Sequence, residues 1–377
     1  MADADHGDEL RDLPLEALDF PLPEELIARH PAERRADSRL LVVHGAGPAA
    51  SAAARLEHRR FSDFAEFLRP GDLLVLNDTR VVPARLDLRK ETGGVVEGLW
   101  LEAQGRDAVA FLSNPRLRPG LLLRAAGEAA PSLRLGERLG GGRWRLALLP
   151  EADAADWAEW LGRHGRVPLP PYVRRLRERC GEPDETPEDR ERYQTVWAER
   201  PGSVAAPTAA LHFDAAALER LEASGVEVGR LTLHVGAGTF LPVEAPSLLA
   251  HPMHEERFHV GPDLEAALAR RAERGGRVVA VGTTVCRALE AWARGERGST
   301  RLLIAPGFRF RVVDALLTNF HTPRSTLLAL VAAFAEHLGA EDGLAFVEAV
   351  YAEAVARGYR FFSYGDVGYW LPSSTSA

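Results

Sequence analysis

Between residues 72 and 149 the chain has almost no helical periodicity, and its short apolar runs are cut by Gly93, Gly94, Gly105, Gly120, Gly127, Gly136 and Gly140 to Gly142. Short strands punctuated by turns in this way build a small barrel or sandwich. Both flanks alternate helix and strand instead, so the middle reads as an insertion into an α/β domain. DLLVLNDTRVVPARLDLRK (72–90) opens it as strand, turn and strand. The reading is therefore an inserted all-β barrel over 74–150 and a discontinuous α/β main domain over 1–73 and 151–377.

After residue 150, ADAADWAEWLGRHG reads as a helix and RVPLPPYV as an extended connector stiffened by proline. RRLRERCGEPDETPEDRERYQ is charged enough for a mobile surface loop and is a flap candidate. Beyond residue 210 the pattern is that of a largely parallel sheet. Asp214 caps a helix running to Gly225, VEVGRLTLHV is a strand, and DLEAALARRAERGG is a helix ending on glycine. RVVAVGTT is a strand breaking into a turn, with a helix from Thr284. RLLIAPGFRF reads as a further strand, RSTLLALVAAFAEHL and LAFVEAVYAEAVARG as helices, and YRFFSYGD as a closing strand and polar turn.

Composition limits the partners. The net charge of −8 resides in residues 1–25, where nine acids face Arg11 alone, so the remaining chain is neutral and phosphate binding stays open. Residues 1–18 read as a flexible acidic leader without assigned function. Lys90 is the single lysine, and arginine makes the better bidentate phosphate contact. No signal peptide and no apolar run near the ~20 residues of a membrane span is present. Cys180 and Cys286 lack CxxC spacing, which argues against a disulfide framework or zinc. A soluble, cytoplasmic protein, monomer rather than obligate oligomer, is expected.

Two apolar, glycine-bearing stretches, PGSVAAPTAALHF and LTLHVGAGTF, set His212 and His234 among small residues where backbone can approach a ligand. They suit a cavity wall or, equally, a tight turn under core strands. In VAVGTTVCRALE, Gly282, Thr283 and Thr284 lie between a strand and a helix; this is a place for an anion or simply an ordinary threonine cap. His212, His234, His254 and His321 stand near small or polar residues in no metal-ligand spacing, which favours catalysis or ligand contact. In HPMHEE, Glu255 and Glu256 could orient an imidazole. TNFHTPRST and SYGD contribute Asn319, His321, Ser325, Thr326, Tyr364 and Asp366. NDTRVVPAR contributes Asn77, Asp78, Thr79, Arg80 and Arg85, or else a plain turn.

The order of LVLNDTRVVPARL, TGG, RVPLPPYV, DRERYQTVWAERPGSVAAPTAALHF, LTLHVGAGTF, HPMHEE, VAVGTT, PGFRFRVVDALLTNFHTPRSTLL and GYRFFSYGD closely resembles the S-adenosylmethionine:tRNA ribosyltransferase-isomerase family of queuosine biosynthesis, from roughly Asp19 to Asp366. The resemblance implies a discontinuous α/β domain carrying a small β-barrel. It also implies transfer and isomerisation of the ribosyl part of S-adenosylmethionine onto 7-aminomethyl-7-deazaguanine in the tRNA anticodon, giving epoxyqueuosine, adenine and methionine. S-adenosylmethionine would be co-substrate, the tRNA anticodon stem-loop the partner, and no metal or prosthetic group is needed. The sulfonium acidifies the C5′ hydrogens, so a base can form an ylide while an acid assists adenine departure.

Matched motif positions place the methionyl and ribosyl parts against Ser203, Pro207, Thr208, His212, His234, Gly236, Gly238 and Thr239, with Gly282, Thr283 and Thr284 receiving the carboxylate. His212 or His234 is the proton-transfer partner, with Asp78 and His321 in the catalytic set. Arg80, Asn319, Asp366 and His254 are set against the acceptor. The chain departs from the family pattern at Ala210, Thr322, Val285 and Cys286, and its barrel reads VVEGLWLEA and FLSNPRLRPG where a more lysine-rich pattern is familiar. These departures bear on tRNA docking more than on cofactor handling. They keep open a paralogue that uses S-adenosylmethionine with a non-tRNA acceptor, and a non-catalytic binding protein.

Overall fold

The computed structural model describes residues 8–45, 55–114, 116–240 and 245–373. Strands β1 (Arg39–His44) and β2 (Leu56–Arg60) precede β3 (Leu73–Asn77), and the short β4 (Thr79–Val81) leads into the barrel strands. These are β5 (Arg85–Lys90), β6 (Val95–Gln104), β7 (Asp107–Leu112), β8 (Leu122–Ala125), β9 (Leu133–Gly140) and β10 (Arg143–Leu148). Helices α1 (Trp157–His164), α2 (Pro171–Arg179) and α3 (Asp189–Arg192) lead back to β11 (Arg200–Ser203). The chain continues through α4 (Ala215–Ala223), β12 (Glu227–Leu233), β13 (Glu256–Val260), α5 (Pro262–Arg274), β14 (Val278–Val281) and α6 (Thr283–Ala293). It ends with β15 (Ser299–Thr300), β16 (Ala315–Asn319), α7 (Thr326–His337), α8 (Gly343–Ala356) and β17 (Val367–Leu371).

The expected architecture is present: a closed six-stranded antiparallel barrel beside a nine-stranded mixed sheet ordered β15-β13-β12-β3-β14-β16-β17-β1-β2. Central strands such as LLVLN are buried at every position, and apolar at all but the terminal Asn77, because both faces are covered. Leu73 and Val75 face the core built with α5 to α8, while Leu74 and Leu76 face the one built with Phe61, Phe64, Phe213 and α4. Helix α7 is apolar all round and buried from Leu328 to Ala335, as a helix enclosed on all sides must be.

Several expectations are corrected. The sheet is not largely parallel: β12, β3, β14 and β16 run together, but β13, β17 and β2 pair antiparallel with β12, β16 and β1. A boundary at 74 would cut through β3, which pairs with both β12 and β14, and the barrel's own strands start at Arg85. The far boundary at 150 also shifts, because Trp157, Trp160 and Leu161 of α1 fill the barrel core. The two crossings are zipped together where Arg85 and Arg166 exchange backbone hydrogen bonds.

RLLIAPGFRF and YRFFSYGD form no strand; the closing strand is β17. The leader is not loose from residue 8 onward. Leu15 and Leu18 are buried in the main core, and the Asp12 carboxylate accepts from Ser247 and the Leu249 amide. Residues 1–7 lie outside the described residues.

The flap candidate is also pinned. Arg177 and Asp189, both almost wholly buried, form a two-pronged pair at 2.6 and 3.0 Å, and Asp189 also accepts from Tyr364 and from Thr186. Alternating charge looked like a solvated face, but this pair turns inward. Arg177→Met leaves the Asp189 carboxylate without its cation and is expected to cost about 3–5 kcal/mol. Urea denaturation of Arg177→Met and of Arg177→Met/Asp189→Asn checks it: the single variant should be the less stable, and an unchanged midpoint in the single variant would refute the role given to this pair.

Candidate active site

Because β12, β3, β14 and β16 are parallel neighbours, their C-terminal ends form one edge, the usual place for ligands in such sheets. His234 follows β12, Asp78 and Thr79 follow β3, Gly282 to Thr284 follow β14, and Asn319 ends β16 beside the start of β17, next to Asp366. β11 pairs with β4 over this edge and delivers the segment from Ser203 to His212.

At one end, His234 is half-buried, its Nδ1 is 2.8 Å from the Thr79 hydroxyl, and its Nε2 has no hydrogen-bond partner among the described residues. Burial, with the charge of Arg257 next, holds its pKa below the ordinary value, against the opposing pull of Asp78. A neutral imidazole with one nitrogen oriented and the other free is what a general base needs. Gly202 makes room for that ring: a Cβ there, at φ 144°, would lie 3.0 Å from it. Asp78 is buried, accepts from the Thr232 hydroxyl at 2.6 Å and lies 3.6 Å from Arg200. Arg80 points outward.

The GAGTF turn lies alongside. The Gly236 amide donates to Glu256, which is itself paired with the buried Arg287. Glu256 therefore does not orient an imidazole. His254 is exposed, and its ring crosses Gly238 so closely that a Cβ there would lie 2.2 Å from it. The Thr239 amide donates to the Gly236 carbonyl. Ser203 is tied internally, donating to the Ala205 carbonyl at 2.7 Å and accepting from the Val235 amide at 2.9 Å. Gly282, at φ 95°, starts α6 with no side-chain cap, and the buried Thr284 hydroxyl oxygen has no partner. Pro207 accepts the Ala210 amide at the start of the turn that begins with Thr208.

At the other end, His212 is 4% exposed, with Nδ1 2.8 Å from the Ser38 hydroxyl and Nε2 3.5 Å from the Asn319 amide nitrogen. Burial first, then the charges of Arg360 and Arg35, lower its pKa to about 3. Asn319 also donates to the carbonyls of Phe362 and Asp366. The Asp366 carboxylate is consumed by the amides of Arg39 and Arg360 at 2.9 and 2.8 Å, so it fixes the loop before β17. His321 lies on the opposite face: its Nε2 is 2.8 Å from Thr318, the strand neighbour pointing away from Asn319, and burial lowers its pKa to about 3. No hydrogen bond or ring contact joins any two of the four candidate histidines among the described residues, nor do three or more His, Cys, Asp or Glu there gather to hold a metal ion.

A family profile described as queuosine biosynthesis protein matches residues 15–369. The chain belongs to this family. A relative from Anaeromyxobacter sp. (strain Fw109-5), named S-adenosylmethionine:tRNA ribosyltransferase-isomerase, is 49% identical over 93% of this chain and 97% of its own length. One of the same name from Acidithiobacillus ferrooxidans is 49% identical over 92% of this chain and 95% of its own. The crystal structure of the S-adenosylmethionine tRNA ribosyltransferase from Thermotoga maritima is similar at a TM-score of 0.51 and 34% identity, covering 94% of this chain and 100% of that one.

Within this queuosine-family chain, sequence reasoning missed Ser38 and Arg287 and gave Thr79 no role. The first two lie far in sequence from the groups they touch; the third was visible in NDT but read as a turn. Two neutral histidines carry a consequence for stability. With folded pKa values near 3, His212 and His321 stay unprotonated while the unfolded chain takes up protons below its ordinary pKa near 6.5. The unfolded state then binds more protons, so stability is complete above that pH and falls as pH drops, by about 1.4 kcal/mol per unit for each group. Denaturation midpoints between pH 7 and 4 should show it, with a shallower slope in His212→Asn.

Proposed function

We propose that this chain transfers and isomerises the ribosyl moiety of S-adenosylmethionine onto 7-aminomethyl-7-deazaguanine in a tRNA anticodon, giving epoxyqueuosine with release of adenine and methionine. The carrying observation is that motif residues from six separated segments line one strand edge, in a chain about half identical to relatives named S-adenosylmethionine:tRNA ribosyltransferase-isomerase. S-adenosylmethionine is the co-substrate in this reading. Its methionyl carboxylate goes to the uncapped start of α6 at Gly282 to Thr284, where free amides and the helix dipole favour an anion.

His234 rather than His212 is the proton-transfer group. Both are neutral at pH 7, but His212 has both nitrogens engaged and is enclosed, whereas His234 keeps Nε2 free. Thr79 orients His234, Gly202 makes room for its ring, and Gly236, with open space beside it, lets the substrate come close to the chain. Removal of a C5′ proton next to the sulfonium is then within the reach of one imidazole. The lysine-poor barrel still offers Arg116, Arg118 and Arg134 exposed, none in an ion pair among the described residues, which keeps RNA as acceptor. Their exposure favours tRNA over a small-molecule acceptor.

Pure protein mixed with S-adenosylmethionine and an anticodon stem-loop carrying the aminomethyl deazaguanine should release adenine only when the RNA is present. Release without RNA, or with another acceptor alone, would overturn the assignment. His234→Gln should slow single-turnover release by about 10²–10⁴-fold. Since the Arg257 charge depresses the His234 pKa, Arg257→Gln should move the acid limb of the pH–rate profile upward, toward 6.5.

A further inference from the structure

A cleft beside His212 contains two guanidinium groups, Arg35 and Arg192, with Ser38, Ser363 and Tyr364 on its walls. Neither arginine has a carboxylate within ion-pair distance among the described residues. Arg35 donates to the carbonyls of Leu211 and Glu191, and Arg192 to those of Glu33 and Ala32, while the buried Nε of Arg192 has no partner among the described residues. By contrast, three buried arginines elsewhere are neutralised: Arg177 by Asp189, Arg287 by Glu256, and Arg85 by Asp184 and Glu185. Two like charges held together in a half-buried cleft repel, and burial together with the Arg192 charge weakens proton binding at Arg35. An arrangement of this kind is stabilised by a bound anion.

The backbone next to the cleft is strained. Phe362 has φ 70°, an unfavourable conformation for an aromatic residue, and is held by its amide on Phe320 and its carbonyl under Asn319. That conformation sets Ser363 and Tyr364 on the cleft wall, and the Tyr172 hydroxyl fixes Ser363 by donating to its Oγ at 2.6 Å and accepting its amide at 2.9 Å.

We infer that the cleft of Arg35, Arg192, Ser38 and Ser363 is a phosphate subsite, and that the phosphate it takes is a backbone phosphodiester of the RNA acceptor. This rests on the proposed function and deepens it: the RNA would engage the β16/β17 end of the strand edge, leaving the His234 end to S-adenosylmethionine. Planar guanidiniums match phosphate oxygens in pairs, and a partly covered cleft spares that contact much of its screening.

The test compares binding of an anticodon stem-loop by wild type, Arg35→Gln/Arg192→Gln and Ser363→Asp over a range of salt. Ser363→Asp keeps both arginines and their carbonyl bonds, and the Tyr172 hydroxyl can still donate to the new carboxylate, so it separates loss of the subsite from loss of the fold. Both variants are expected to bind the stem-loop at least about tenfold more weakly and to lower the slope of log K against log salt by about one, with S-adenosylmethionine binding unchanged. Unchanged affinity and slope in folded Ser363→Asp would overturn the subsite while leaving the proposed function standing. If wild type does not bind the stem-loop but is stabilised against heat by inorganic phosphate, and Ser363→Asp is not, the RNA assignment is overturned and the proposed function falls with it.

Discussion

Asn77 holds the main sheet together at the point where it becomes a site. Its side-chain amide donates to the Leu233 carbonyl, and its Oδ1 accepts from the amides of Leu233 and Thr79 at 3.1 and 3.0 Å. The side chain thus continues the β3–β12 ladder beyond the last backbone pair, Leu231 with Asn77. Without that continuation the polar backbone of the turn would be buried unpaired. With it, Asp78 and Thr79 are set beside Thr232 and His234, and the chain is aimed through β4 into the barrel. The Trp197 indole, donating to the Asn77 carbonyl at 2.9 Å, closes the underside.

The same geometry separates the candidate groups. Neighbouring strands lie about 4.8 Å apart, so the edge from β12 to β17 spans roughly 19 Å. A reaction joining an adenosyl sulfonium to a base in an RNA loop needs room for two large ligands, and an edge of that length provides two ends with different chemistry. One has a free, oriented imidazole; the other has an enclosed imidazole, an amide network and arginines. Side-chain alternation along β16 also places Thr318 and Asn319 on opposite faces, so His321, beyond the strand end, bonds Thr318 on the core side with its amide on the Tyr351 hydroxyl, while Asn319 faces His212. The barrel reaches the first end through Trp100 of β6, which packs against Val204 and Ala237, and through Glu102, 4.0 Å from Arg257.

Much of this was legible where local pattern and tertiary role coincide. The apolar run LLVLN, the glycine-cut middle and the Asp214 cap all became the elements they suggested, because each is fixed by neighbours in sequence or by burial on both faces. RLLIAPGFRF failed because its apolar residues pack against helices without ladder partners: Ile304, Ala305 and Phe308 join the core as loop residues. The acidic leader failed because composition counted its charges and overlooked Leu15 and Leu18, whose burial outweighs them. The charged segment after α2 failed because a buried Arg177–Asp189 pair looks, in sequence, like any solvated pair. In the site, strand-end residues were readable from glycine, threonine and histidine patterns, but the contacts of His212 with Ser38 and of Glu256 with Arg287 span 174 and 31 residues and leave no local trace.

The departures from the family pattern divide by environment. Ala210 is fully buried against Phe213 and Val281, and Val285 and Cys286 of α6 lie in the main core, so these changes adjust packing beneath the edge without facing it. Burial of Cys286 beside Glu290 raises its thiol pKa, which makes it an inert apolar side chain. The near-total use of arginine, with Lys90 the single lysine, has a different meaning. With the enclosed histidines held neutral, positive charge at the β16/β17 end of the edge comes from guanidiniums, which remain protonated when half-buried and anchor themselves to backbone carbonyls while still presenting N–H groups to a ligand. A lysine in the same cleft would lose charge on burial and satisfy fewer carbonyls. The arginine-rich composition therefore permits a half-buried, doubly charged cleft that lysine would not sustain.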